Sequence, residues 1–333
     1  MKRIRHKIQK EAMTGMALQY MQLLLSISLL MLASSPAVAV EGAIGRPVTG
    51  MQVTPYAGVI PPDPGFSWQL GYLYYGGSID ASRDVPIGGE LAAGLDVDFS
   101  LFLATGIYIW DTAVPRWNFA SMFTLPYLAV DVDAEAVLGG GSRRTSDSTS
   151  NLYDIYFAPI IASYHVSELE HWSFALYIYA PTADYEVGSL ANPGLNNWTF
   201  TPSIGYTKLF SGGTLEFSAL AGLQFYTENK ATNYQNGEVF TLDLHLMKRF
   251  SNHWGIGLVG GWIEQLSDDE AGPIVEALDG FKGRSVGLGP AISYSHKTAS
   301  GSQLDFNLRW VNEFETKNRF DGNAVQATLS MNF

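Results

Sequence analysis

Gly322-Asn-Ala-Val-Gln-Ala-Thr-Leu-Ser-Met-Asn-Phe333 closes the chain, and its reading decides the fold. Val325, Ala327, Leu329, Met331 and Phe333 fall on one face, and Gln326, Thr328, Ser330 and Asn332 on the other. This is a strict period of two, the pattern of a strand with one apolar and one polar side. A soluble sandwich rarely ends on a bare aromatic whose carboxylate must leave the core at once. In an outer-membrane barrel, an aromatic last residue sits at the lipid–water interface while alternate residues face lipid and lumen.

Working outward, the same alternation recurs. Leu215, Phe217, Ala219, Ala221, Leu223 and Phe225 oppose Glu216, Ser218 and Gln224, and Phe240, Leu242, Leu244 and Leu246 oppose Thr241, Asp243 and His245. Leu304, Phe306, Leu308 and Trp310 oppose Asp305, Asn307, Arg309 and Glu313. From residue 66 onward the pattern predicts twelve extended segments: 66–76, 91–110, 116–137, 152–166, 171–187, 197–210, 214–228, 238–250, 253–266, 284–297, 302–315 and 320–333. Their links alternate in length. Short ones at 111–115, 167–170, 211–213, 251–252 and 298–301 separate longer ones at 77–90, 138–151, 188–196, 229–237 and 267–283, with 316–319 a short exception. Short periplasmic turns and longer outer loops are the habit of bacterial outer-membrane barrels. Trp110, Trp117, Trp172, Phe210, Phe250 and Trp254 gather at the short links, as a girdle of interfacial rings would.

Composition agrees. The 333 residues are 47% hydrophobic with a mean hydropathy of +0.04, too low for a bundle of membrane helices, each needing about 20 apolar residues. Alternating strands dilute that signal, so a membrane barrel remains open. Cysteine is absent, which excludes a disulfide framework and thiolate chemistry. Residues 1–39 hold Lys2, Arg3, Arg5, Lys7 and Lys10 against Glu11, a balance of +4, which leaves −16 for the rest of a chain totalling −12. Nucleic-acid binding, which needs clustered cations, is therefore not expected.

The basic start, the apolar run 21–32 and the small residues Ala37-Val-Ala39 read in the order of a secretory signal over 1–39. Residues 40–65 are broken by Gly42, Gly45, Pro47, Gly50, Pro55 and Pro61-Pro-Asp-Pro-Gly65, so they cannot form a central strand. They are expected to hang in the periplasm or to fold back as a plug, with the barrel at 66–333.

The chemistry-bearing residues are sparse. Gln224, Tyr226, Asp243, His245, Arg309 and Glu313 are the candidate lumen and substrate residues, with Asp305 beside them; a charged belt of this kind is either structural filler or a selectivity device. Asp96 and Asp98 on one segment, and Asp131, Asp133 and Glu135 on the next, could bind a hard cation or simply form a polar rim. Metal binding, a cofactor and enzymatic activity are not expected: no His-x-x-x-His spacing and no G-x-S-x-G elbow occurs, and Gly139-Gly-Gly-Ser-Arg-Arg144 lacks the Lys-Ser/Thr ending of a phosphate cradle. The sequon Asn197-Trp-Thr199 would go unused on a bacterial export route.

Further stretches carry a family likeness across nearly all of the chain after the signal. They are Glu41-Gly-Ala-Ile-Gly45, Pro61-Pro-Asp-Pro-Gly65 leading into Tyr72-Leu-Tyr-Tyr75, Gly194-Leu-Asn-Asn-Trp-Thr-Phe200, Glu216-Phe-Ser218, Tyr226-Thr-Glu-Asn229, Gly280-Phe-Lys-Gly283 and Gly287-Leu-Gly-Pro290, with the closing strand. In these the chain resembles the outer-membrane proteins of phenol meta-pathway degradation and transport. The resemblance implies uptake of small hydrophobic or aromatic molecules and supplies no set of substrate-contacting residues. The expectation is thus a twelve-stranded antiparallel barrel in the outer membrane, in contact with lipid and lipopolysaccharide, passing a small hydrophobic solute. A general-diffusion or structural barrel is the alternative. Phe333 would be the signal read by the barrel-assembly machinery.

Overall fold

The computed structural model describes residues 42–87, 89–138, 141–270, 282–298 and 302–332. The signal over 1–39 and Phe333 lie outside the described residues. β1 (Gly65–Ile87), β2 (Glu90–Ile109) and β3 (Trp117–Leu138) are the longest strands, followed by β4 (Gly141–Leu152), β5 (Tyr156–Ser167) and β6 (Glu170–Tyr179). Then come β7 (Thr199–Phe210), β8 (Leu215–Tyr226), β9 (Val239–Arg249) and β10 (Trp254–Gln265). β11 (Arg284–Lys297), β12 (Gln303–Lys317) and β13 (Asp321–Asn332) complete the sheet. All paired neighbours are antiparallel.

The sheet closes because β13 pairs with β1 from Ser67↔Asn332 to Ser78↔Asp321. β3 bonds β5 along its lower part (Trp117↔Tyr164 to Thr124↔Tyr156) and β4 along its upper part (Tyr127↔Leu152 to Leu138↔Gly141). β4 and β5 therefore share one position in the ring, which has twelve positions. No helix among the described residues is long and apolar enough to cross a membrane. Closure leaves β4 alone with a ladder on one side only, and the other strands are paired on both sides, as lipid requires of the strands that meet it.

The alternation is oriented as a membrane demands. On β9, Asp243 and His245 are buried inward while Leu244 and Leu246 are exposed outward. Trp172, Phe210, Phe250 and Trp254 are exposed at the short-turn end.

Two outer links differ from the sequence reading. Within 77–90 and 138–151, read as loops, β1 continues to Ile87 and β4 occupies Gly141–Leu152. Above the bilayer the outward face meets water. The polar run Ser142 to Asn151 therefore forms a strand without an apolar period to reveal it. Conversely β6 ends at Tyr179 rather than running to residue 187, because Pro181 has no amide to give the ladder.

Candidate functional site

Residues 42–64 run through the lumen from the long-loop end to the short-turn end, where β1 begins. Gly42 N–H donates to Pro86 O at 2.8 Å near the outer end, and Asn118 Nδ2 donates to Ile60 O at 2.9 Å at the other. Between these points the wall binds the segment through its backbone. Arg319 Nη2 donates to Ile44 O (2.7 Å) and Pro47 O (2.8 Å). Asp243 accepts from the amides of Gly50 (3.0 Å), Gln52 (2.7 Å) and Val53 (3.3 Å). Arg309 donates to the carbonyls of Gly50 (3.2 Å), Met51 (3.3 Å) and Val53 (2.5 Å), and to Gln326 Oε1. A segment with five glycines and prolines from Gly42 to Pro55 has no strand or helix partners of its own, so its buried polar groups must be met by side chains.

Side-chain contacts extend the attachment. Thr49 Oγ1 donates to Glu313 Oε1 at 2.5 Å, and Ser285 and Tyr75 donate to the same carboxylate at 2.7 and 2.6 Å. Tyr56 N–H donates to Glu216 Oε1 (2.6 Å), and the Arg249 guanidinium lies 4.4 Å from the Tyr56 ring centroid. Close approach also needs missing side chains. A Cβ on Gly261 would stand 2.2 Å from Gly50 N, and one on Gly58 would stand 2.5 Å from His171 O.

Arg46 forms the densest junction. It pairs with Asp154 at 2.6 Å, both side chains having no exposed surface, and donates to Asn197 O (3.1 Å), Thr199 Oγ1 (3.2 Å) and Tyr153 OH (3.2 Å). Its guanidinium lies over the rings of Tyr153 and Tyr179, 5.5 and 5.1 Å from their centroids. Asp154 lies in the break between β4 and β5 and also accepts from the amides of Thr182, Ala183 and Leu195. One ion pair thus joins the plug, the wall and the loop at 180–198.

The candidate residues come together in the lumen, where Gln224 and Arg309 line the cavity and several meet residues 42–64. Asp243, Arg309 and Glu313 hold the plug directly. His245 is fully buried with Nδ1 3.6 Å from Glu216 Oε1, so it stands behind the carboxylate that takes Tyr56. Gln224 faces the cavity and accepts from Tyr226 OH; Tyr226 itself packs with Val239 and Ile263. Asp305 is bound by Ser295 and Gln303. The acidic strands pair Asp96↔Asp133 and Asp98↔Asp131, and these four carboxylates point outward and are exposed. Among the described residues no group of three or more His, Cys, Asp or Glu is arranged to hold a metal. Sequence reasoning missed Arg46, Thr49, Asp154 and Arg319. The available signal was Arg46 as the only lysine or arginine in residues 42–64.

Beside the plug lies a cavity of about 590 Å³. Its other wall is apolar: Val97, Phe99, Leu101, Leu103, Ile107 and Ile109 of β2 line it, with Met122, Leu128, Val130 and Val132 of β3. On the outward side of the same strands, Asp96 and Asp98 give way to Phe102 and Tyr108, and Asp131 and Asp133 to Phe123, Leu125 and Tyr127. The lipid boundary is crossed at that change, whereas the inner face stays apolar on both sides of it.

The family model described as "Putative MetA-pathway of phenol degradation" matches residues 81–329. The chain belongs to this family. No curated protein matches it. Among solved structures, an outer membrane channel from Pseudomonas putida is similar at a TM-score of 0.63 and 15% identity, covering 85% of this chain and 100% of that one. That likeness establishes the barrel fold. A Pseudomonas aeruginosa FadL homologue matches at a TM-score of 0.44 and 9% identity over 89% of this chain and 98% of that one. The beta domain of the Bordetella autotransporter BrkA matches at 0.45 and 12% over 81% and 100%.

Proposed function

We propose that this family member is a plugged outer-membrane channel that passes small hydrophobic, chiefly aromatic, molecules along the inner face of β2 and β3. The observation that carries the reading is the apolar lane itself. A water-filled pore gains nothing from Val97, Phe99, Leu101 and Leu103 facing inward, because each leaves apolar surface against water at about 25 cal/mol per Å². An apolar solute recovers that free energy as it moves. The plug supports the same reading by occupying the polar side of the lumen, so that the space left beside it is lined by hydrocarbon and a few polar groups, as ligand sites are. Transport of this kind is passive and follows the gradient that intracellular consumption maintains.

The general-diffusion alternative makes the opposite demand on the lumen. The test is proteoliposomes carrying the full chain: labelled toluene equilibrates faster than into protein-free vesicles, while planar bilayers show low salt conductance. High steady conductance without faster toluene entry would assign the protein to general diffusion.

A further inference from the structure

Towards the short-turn end the apolar lane of β2 meets a polar row. Thr105 of β2 pairs with Gln69 of β1, Gln69 with Ser330 of β13, Ser330 with Asp305 of β12, and Asp305 with Ser295 of β11. All five side chains line the cavity. One inward position above, the row reads Leu103, Gly71, Thr328, Asn307 and Ser293. A Cβ on Gly71 would stand 3.2 Å from the Leu103 side chain, so Leu103 lies over β1 and carries the hydrocarbon towards the polar row. From there to β12 is two strand spacings, about 10 Å.

Among the described residues four charged side chains line this cavity, and the three arginines are already committed. Arg46 pairs with Asp154, Arg249 pairs with Glu216 at 2.5 Å, and Arg309 donates to Gln326 and to three carbonyls of residues 50–53. Asp305 is the fourth and differs from them. Ser295 Oγ (2.5 Å) and Gln303 Nε2 (2.9 Å) both donate to its Oδ1, while its Oδ2 accepts no hydrogen bond among the described residues. No lysine, arginine or histidine among them pairs with it; Lys297 stands two residues beyond Ser295, opposite Gln303, and is exposed. Two neutral donors thus fix the carboxylate and leave one oxygen unused beside open cavity. A carboxylate oxygen only accepts, and its strongest partners are charged donors. Apolar walls nearby weaken the screening of that charge.

We propose that Asp305 is the polar end of a binding site for small apolar amines. The ammonium donates to Asp305 Oδ2, and the apolar body lies against Leu103, Ile107 and Ile109 of β2. The site rests on the hydrophobic-channel reading and adds a preference by charge: an apolar molecule bearing a cation is held here, and one bearing a carboxylate is refused.

The test is calorimetric titration of the purified full chain in detergent at neutral pH, with protein-free micelles as the blank. Three probes share a ring with a two-carbon arm: ethylbenzene, cationic phenethylamine and anionic hydrocinnamate. Phenethylamine is expected to bind at least about tenfold more tightly than hydrocinnamate. Asp305→Asn, which keeps the shape, weakens phenethylamine about tenfold and leaves ethylbenzene within about twofold, and Asp305→Glu restores the amine. In the unaltered chain, raising salt from about 50 to about 500 mM weakens phenethylamine and spares ethylbenzene. Phenethylamine bound no better than hydrocinnamate, or indifferent to Asp305→Asn, would overturn the site and leave the lane standing. Loss of both ethylbenzene and phenethylamine in Asp305→Asn, with no salt dependence in the unaltered chain, would also overturn it, since Asp305 would then serve the β11–β12 pairing alone. Phenethylamine bound without ethylbenzene would overturn the lane, and with it the apolar half of the site.

Discussion

Two walls of one barrel face the same lumen with opposite chemistry. β7 to β12 turn inward Thr207, Glu216, Asp243, Ser285, Arg309 and Glu313, while β2 and β3 turn inward Val97, Phe99, Leu101, Leu128 and Val130. The first wall binds an irregular segment by its amides and carbonyls. The second touches little that is polar and leaves the cavity open. A closed sheet imposes alternation, yet it leaves each wall free to choose what its inward residues are. The polar wall therefore acts as a holder and the apolar wall as a lane.

The comparison breaks most sharply at Asp243. Asp243→Ala removes the acceptor of three plug amides and leaves buried Arg309 without its neighbouring carboxylate. Loss of one member of a buried charged set costs about 3–5 kcal/mol. The expected outcome is a lower unfolding temperature in detergent and a severalfold rise in salt conductance as the plug loosens. Arg46→Met tests the junction with the β4–β5 break and should fall near the lower end, about 3 kcal/mol, because Asp154 keeps three amide donors. Its readout is protease sensitivity of the loop at 180–198 together with conductance.

A substitution on the opposite wall should act on the solute and spare the plug. Leu103→Asn places an amide in the lane, and toluene entry into proteoliposomes should slow about fivefold with conductance unchanged. If conductance rose instead, the two walls would not be separable. The smallest effect concerns pH at the outer rim, above the lane. The Ser189 hydroxyl, with the amides of Ala191 and Leu190, holds the Asp147 carboxyl below its ordinary 3.8. A depressed carboxylate stabilises the folded loop above that value and loses its contribution as pH falls from it. Amide exchange at residues 189–191, corrected for the intrinsic rate, should therefore quicken below about pH 4, and Asp147→Asn should show the quicker rate at neutral pH.

Much of this fold was legible because the membrane forces a signal into the sequence. β8, β9, β12 and β13 alternate since each must show hydrocarbon to lipid on one side, and the turn-flanking Trp172, Phe250 and Trp254 mark the interface. Legibility failed where that constraint ends. β4 lies beyond the bilayer, so Thr145 to Asn151 carry no apolar period, and β1 past Gly77 is bounded by water for the same reason. In the site, Asp243, His245, Arg309 and Glu313 stood out as charges on strands that otherwise alternate. Their occupation by the plug did not, because a segment that bonds through its backbone leaves no side-chain pattern to match. Arg46 and Asp154 are separated by 108 positions and come from an irregular segment and a strand break.

By itself, then, the sequence determined that strands alternate, that short and long links take turns, and that a barrel in the outer membrane results. Each of these follows from a local period or a local length. Only the tertiary structure decided that residues 42–64 run through the lumen, that the polar wall holds them, and that an apolar lane remains beside them. These depend on which inward faces meet across the barrel, a matter of closure and register that no single strand encodes.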